Sequence, residues 1–321
     1  MELHKVEIKN YKSIKEIQIN DPRKFLVFVG ANAAGKSNIF EALEFSNRLY
    51  KSRTEAVSLY GGEKEILNFN LPNDDFELNL SSSLLSGNIR YNSSDSKVIT
   101  TIKKGNYNDE DSFDQYLDNF SRIFVGQEKY VKIKFNDNNR LRLDCGNLEL
   151  VLARTLKDHD LKEVLLDWLY LFIPGFKNIE ITFDELKGEP QLNFYEESYR
   201  TPFPKTLISD GTYNIIALLT AVLQSKEPQF LCIEEPENGL NPKVIRELVK
   251  VFRSATQKYG HYIWINTHSP TFVSELEFEE LIVVDKKDGF TLIKQFKNQD
   301  FKGLKIDDAW LSNSLGGGIP W

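Results

Sequence analysis

The run Gly30-Ala31-Asn32-Ala33-Ala34-Gly35-Lys36-Ser37 has the residue types and spacing of a phosphate-binding loop. Its glycines let backbone N–H groups turn toward phosphate oxygens, and a helix opening behind them adds its positive end. In that chemistry Lys36 reaches the β- and γ-phosphates, and the Ser37 hydroxyl joins the shell of a Mg2+ ion. Asn38 continues the same turn, so residues 30–38 are the candidate cradle of a nucleotide. A second chemical feature lies far along the chain. Phe230-Leu231-Cys232-Ile233-Glu234-Glu235 is an apolar run ending in two carboxylates. Glu234 is placed to hold the metal, directly or through water, and Glu235 to polarise an attacking water. Two adjacent buried carboxylates repel each other and need a cation, so the pair and the metal explain one another. A chance glycine turn and a solvated acidic pair are the bland alternatives, and each loses ground beside the other motif.

The elements around these residues have the required kinds. Residues 24–29 (KFLVFV) read as a buried strand, and residues 36–49 carry apolar side chains at helical spacing. The opening LHKVEIKNYKSIKEIQI alternates like one or two strands with a bend near residues 10–13. Residues 50 to 150 alternate short strand-like pieces (FELNLSS, KVITTIKK, KYVKIKF, RLRLD) with Asn/Asp/Ser/Gly turns, and residues 147–173 read helical. Beyond residue 179, strands and helices alternate with short loops, which implies a largely parallel, covered sheet.

Composition bounds the possibilities. The chain has 321 residues, enough to bury a large core, and a formal net charge of −7. Five acids of the excess (Asp109, Glu110, Asp111, Asp114, Asp118) fall in residues 105–118 without a base. The remainder is nearly balanced, so a local basic face stays open, with residues 129–134, Arg140 and Arg142 as its candidate strip. Two cysteines make neither a disulfide scaffold nor a metal cluster, and Cys232 reads as a small buried thiol. The N-terminus lacks a signal-peptide pattern, and the longest uncharged stretch, residues 211–225, is short of a membrane span. A soluble, cytoplasmic protein without a membrane partner is the expectation.

Further stretches complete a pattern. Ile208-Ser209-Asp210-Gly211-Thr212 opens a helix, EEPENGL spans residues 234–240, INTHS spans residues 265–269, and IKNYKSI lies near the start. Together with the phosphate loop these resemble the motif set of ABC-type ATPases. They are most similar to the RecF, OLD and SMC-like branch, with its stand-alone AAA_21 and AAA_15 types found in bacterial phage-defence operons. The resemblance covers residues 1–50 and 200–285 well and the stretch between them weakly.

The resemblance implies an α/β P-loop NTPase head with a mixed sheet and an inserted β-rich then helical arm. Residues 1–50 and 175–290 would form the head, 51–174 the arm and 291–321 a tail. ATP and Mg2+ would be the cofactors, with Ser37 and Glu234 as metal ligands. Glu235, Lys36 and His268 would be catalytic, His268 as the switch histidine. Lys12 and Ser13 match a stretch that lines the nucleotide in relatives, or they form a solvated bend. Ser209, Asp210 and Gly211 would contact the γ-phosphate held by a second subunit, so a head-to-tail dimer around two ATP molecules is implied. Residues 238–241 would be the loop that crosses that interface, and Gln127 is a candidate for the glutamine that links nucleotide to arm.

Three roles follow for such an ATPase. The leading one is a sensor that regulates a separately encoded effector, a nuclease or toxin, in anti-phage defence. The second is a RecF-like clamp on DNA, which would make nucleic acid a partner. The third is a scaffold that binds ATP to assemble and hardly turns it over. In the tail, Trp310, Leu311, Ile319 and Trp321 either fold back on the core or dock a partner.

Overall fold

The computed structural model describes residues 2–52, 54–72, 74–82, 85–104, 117–125, 139–184, 186, 188–297 and 305–317. Gln127, the 129–134 strip, most of the acidic segment, Ile319 and Trp321 lie outside the described residues.

The centre is a six-stranded sheet in the order β14-β13-β3-β12-β11-β7. Its strands are β3 (Phe25–Val29), β7 (Phe120–Ile123), β11 (Phe230–Glu234), β12 (Tyr262–Asn266), β13 (Leu281–Lys287) and β14 (Phe290–Gln295). All are parallel except β14, which returns antiparallel beside β13. Strands β3, β11 and β12 are buried along their whole length, and this is why they read as continuous apolar runs rather than alternating ones. Their successive residues divide between two cores. Val27, Val29, Leu231, Ile233, Ile263 and Ile265 face one cluster, while Leu26, Phe28, Cys232 and Trp264 face the other.

The first cluster is covered by α4 (Leu148–Lys157), α5 (His159–Phe172), α6 (Asp210–Leu223) and α7 (Pro242–Lys258). Asp158 caps α5, Ser209 caps α6 and Asn241 caps α7, each accepting a backbone N–H of the first turn. The second cluster is covered by α1 (Lys36–Ser52), followed by α2 (Thr54–Leu59) and α3 (Glu63–Ile66), and by a five-stranded antiparallel sheet. That sheet runs β2-β1-β4-β5-β6, built from β1 (Leu3–Tyr11), β2 (Ile14–Asn20), β4 (Phe76–Ser82), β5 (Leu85–Asn92) and β6 (Lys97–Lys104). Phe45 of α1 locks the layers by packing its ring 5.6 Å from Tyr11 and 5.1 Å from Phe76. A third small sheet, β8 (Phe176–Phe183), β9 (Pro190–Glu196) and β10 (Phe203–Pro204), lies by α4 and α5.

Residues 51–174, expected as an arm inserted into a head, are distributed differently. Strands β4–β6 extend the sheet of the N-terminal hairpin. Strand β7 joins the central sheet, with Arg122 opposite Cys232 and Ile123 opposite Ile233. Helices α4 and α5 pack on α6. Short-range alternation reveals that a strand forms, but its pairing partner is set by contacts far away in sequence. The RLRLD segment forms no strand; Arg142 N donates instead to Asn147 Oδ1. In the tail, Trp310 of α8 (Ile306–Leu311) is buried with Ile306 and Ala309, whereas Leu311 is exposed. Both cysteines are buried and free. Among the described residues no helix is long and apolar enough to cross a membrane.

Candidate functional site

The loop of residues 30–37 joins β3 to α1 at the C-terminal edge of the central sheet, where open α/β sheets bind ligands. Its two glycines are enforced by neighbours. A Cβ on Gly30 would lie 2.1 Å from the Val284 carbonyl oxygen. At Gly35, whose φ is +107°, it would lie 2.0 Å from Thr291 Oγ1 and 2.9 Å from Ser13 Oγ. A relay of hydroxyls supports the loop from below. Asn38 Nδ2 donates to Ser13 Oγ at 2.7 Å, the Ser13 hydroxyl meets Thr291 Oγ1 at 2.7 Å, and Thr291 Oγ1 donates to Ala34 O at 3.0 Å. Lys12, the bend residue with φ +47°, pairs through Nζ with Glu41 of α1.

Lys36 is buried, its Nζ donating to Gly30 O at 2.8 Å and Ala31 O at 3.0 Å. Burial brings its pKa down to about 8, although Glu235, Glu234 and Glu237 pull the other way. Ser37 Oγ donates to Glu234 Oε2 at 2.5 Å, and Asn266 Nδ2 reaches both of these oxygens at 3.2 Å. The other oxygen, Glu234 Oε1, accepts Arg122 Nε at 2.6 Å. Arg122 also donates Nη1 to Glu44 Oε2 at 3.1 Å. Burial opposes the charge of Arg122, but Glu234, Glu44 and Glu41 outweigh that and hold the guanidinium above its ordinary pKa.

Glu235 turns out of the strand with φ +46°, a strained conformation for a non-glycine residue, pinned by its N–H to Asn266 O at 2.8 Å. Its Oε1 stands 3.9 Å from His268 Nε2, and its Oε2 accepts Asn238 Nδ2 at 3.2 Å. Burial and the Lys36 charge depress the His268 pKa, with Glu235 opposing, so the ring is neutral near pH 7. Glu237 holds this turn in place. Its Oε1 accepts Thr267 Oγ1 at 2.7 Å and His268 N at 2.8 Å, and burial raises its carboxyl pKa. The structure therefore brings Lys36, Ser37, Glu234, Glu235 and His268 into one constellation.

Ser209 and Asp210 stand exposed at the start of α6, where Ser209 Oγ accepts Thr212 N at 3.1 Å. The contacts of this corner run to residues 238–239. A Cβ on Gly211 would lie 2.8 Å from Gly239 O, and Asn214 Nδ2 donates to Asn238 O at 2.9 Å.

The sequence model of the AAA_21 family, described as an AAA domain, putative AbiEii toxin, type IV TA system, matches residues 25–274. The chain belongs to the AAA_21 family. As an AAA_21 protein it carries an ABC-type ATPase domain with the P-loop NTPase fold. It is 23% identical to the DNA replication and repair protein RecF of Streptococcus thermophilus, over 96% of this chain and 85% of RecF. It is 29% identical to the energy-coupling factor transporter ATP-binding protein EcfA2 of Lactobacillus acidophilus, over 43% of this chain and 46% of that one. The match to EcfA1 of Methanospirillum hungatei, 36% identical, spans 24% of this chain and 27% of its relative. The chain thus spans less than half the length of either EcfA protein. Among solved structures, an SMC head bound to the C-winged helix domain of ScpA superposes with a TM-score of 0.63 at 14% identity, over 93% of this chain and 99% of that one. The SMC head domain of Thermotoga maritima gives 0.56 at 14% identity, over 92% and 100%.

The donor set of this AAA_21 site fits a hard divalent cation. Ser37 Oγ and Glu234 Oε2 are adjacent oxygens, and Asn266, whose Nδ2 meets both, has its Oδ1 buried without a partner among the described residues. No group of three or more His, Cys, Asp or Glu residues forms a metal cage among those residues. Ser37 Oγ and Glu234 Oε2 match the one or two protein groups by which Mg2+ is usually held, water and phosphate oxygens completing its shell. Arg122 and Thr291 escaped the sequence reading, since neither lies in a motif. Asn266 sits inside INTHS, two residues before His268.

Proposed function

We propose that this protein binds Mg2+–ATP in the loop of residues 30–38 and hydrolyses it between two copies of the chain. The carrying observation is the grouping of Lys36, Ser37, Glu234, Glu235 and His268. Lys36 neutralises phosphate charge, Ser37 and Glu234 hold the metal, Glu235 polarises water, and His268 senses the transferred phosphoryl group. Ser209, Asp210 and Gly211 contribute in trans: Ser209 and Asp210 stand exposed, and the contacts of the corner run to residues 238–239. ATP binding closes the head-to-tail dimer and hydrolysis reopens it.

Replacing Glu235 with Gln tests this. The variant is expected to bind ATP, to lose hydrolysis by about 100- to 10,000-fold, and to accumulate as a dimer by light scattering. An ATP-independent mass with full turnover would overturn the proposal. An assembly scaffold with little turnover would behave alike with or without the substitution.

The biological reading that we infer is control of a separately encoded effector, a nuclease or toxin, in a cytoplasmic anti-phage system. The toxin–antitoxin description attached to the AAA_21 family supports it. Co-purification of a second protein from the native host tests it, and recovery of the chain alone would remove its support. A second reading, a clamp on duplex DNA, draws on the match to most of RecF's length. It calls for DNA-stimulated ATPase activity and binding that falls steeply with salt.

A further inference from the structure

Arg122 lies on β7, outside every motif, yet its side chain is only 9% exposed and each of its three nitrogens meets a carboxylate oxygen. Nε donates to Glu234 Oε1 at 2.6 Å, Nη2 pairs with the same oxygen, and Nη1 reaches Glu44 Oε2 of α1 at 3.1 Å. Glu234 is therefore gripped side-on through one oxygen, leaving Oε2 turned to Ser37 Oγ at 2.5 Å.

Two physical consequences follow. A glutamate side chain has several rotatable torsions and two equivalent oxygens, so unrestrained it must be ordered each time it binds a cation. A planar guanidinium fork removes that freedom before the cation arrives. The fork's positive charge would by itself weaken cation binding, but Glu44 offsets it. The Arg122–Glu44 pair is close to neutral, and the charge of Glu234 remains available on the Ser37 side.

We propose that Arg122 is a positioning residue for the divalent cation, orienting Glu234 through a charge-balanced pair with Glu44. This rests on the reading of Ser37 and Glu234 as the metal shell. It deepens that reading by making metal affinity, and not nucleotide affinity, depend on β7. Because β7 pairs with β11 directly below Glu234, through Cys232–Arg122 and Ile233–Ile123, a shift of this edge strand would change the metal shell without touching the phosphate loop.

The test uses the full chain and Mn2+ as probe, with free Mn2+ followed by electron paramagnetic resonance in the presence of β,γ-imido-ATP. Arg122→Gln combined with Glu44→Gln removes the pair at constant net charge, and Arg122→Lys keeps the charge while losing the side-on grip. The double variant is expected to raise the Mn2+ Kd by about 10- to 100-fold, as partners behind a metal ligand usually do, and Arg122→Lys by less. Binding of β,γ-imido-ATP in EDTA should match the parent's in both. A role confined to packing would lower the melting temperature and leave the Mn2+ Kd alone. If both variants hold Mn2+ like the parent while Glu234→Gln loses it, the positioning role is overturned. If Glu234→Gln also holds Mn2+, the metal reading beneath it fails instead. Should the double variant not fold, Arg122→Lys decides the matter by the same readout.

Discussion

Gly211 and Gly239 meet backbone to backbone: a Cβ on Gly211 would sit 2.8 Å from the Gly239 carbonyl oxygen. The start of α6 and the turn after Glu235 are thereby one rigid corner, reinforced by Asn214 Nδ2 on Asn238 O at 2.9 Å. Asn238 in turn holds Glu235 Oε2, so the exposed Ser209 end and the Glu235 carboxylate are mechanically joined within one chain.

Gly211→Ala must push the two backbones apart. Overpacking of this kind costs about 1–3 kcal/mol. Thermal unfolding should register that loss, and ATP hydrolysis should fall by a larger factor than stability explains. Full activity in the folded variant would disprove the rigid-corner account.

Beneath the phosphate loop, Thr291→Val removes the hydroxyl that bonds Ala34 O and meets Ser13. Each such bond contributes about 1 kcal/mol. Weaker nucleotide binding is expected with the fold retained. Gly35→Ala, which would place a methyl 2.0 Å from Thr291 Oγ1 at φ +107°, should abolish binding. Partial recovery in Gly35→Ala/Thr291→Ala, which deletes the clashing Oγ1, would show that the clash, and not the loss of glycine flexibility alone, is responsible.

The pH dependence has a definite sign. The ligand-free Lys36 titrates at about 8 against 10.5 in the unfolded chain. Between those values the unfolded chain binds more protons, so the contribution of Lys36 to stability rises with pH through that window. Nucleotide affinity moves the other way, because phosphate charge needs the ammonium form. Binding of a fluorescent ATP analogue should weaken as pH climbs past about 8. A flat profile through that window would contradict the burial of Lys36.

Glu237→Ala unpairs the Thr267 hydroxyl and the His268 N–H, both held by Glu237 Oε1 at 2.7 and 2.8 Å. Unsatisfied buried donors cost about 1–3 kcal/mol each. The turn at Thr267 and His268 should loosen, slowing hydrolysis more than it weakens nucleotide binding. A hydrolysis rate equal to the parent's would show that Glu237 does not set the position of His268.

How far the sequence reaches depends on whether a residue's role is local. The strand–loop–helix of residues 24–49 and the strand ending at Glu234 are legible because their chemistry is carried by consecutive residues in one element. The helical stretch of residues 147–173 is legible for the same reason, but its break at Asp158 is not, nor is the pairing of β8 and β9 in an antiparallel sheet of their own rather than in the parallel one. The destination of residues 51–174 is not, because alternation in FELNLSS or KVITTIKK is the same whether the strand stands in an arm or beside β1.

What the sequence by itself determined is the phosphate loop, the carboxylate pair and the P-loop fold class, all written in short-range spacing. Only the tertiary structure decided that Arg122 grips Glu234, that Thr291 underpins Gly35 and that Gly211 needs Gly239. Arg122 and Glu234 are 112 residues apart and Thr291 and Ala34 are 257 apart. Parallel strand pairing and helix packing bring such residues together, and neither leaves a periodic trace around the residue it recruits.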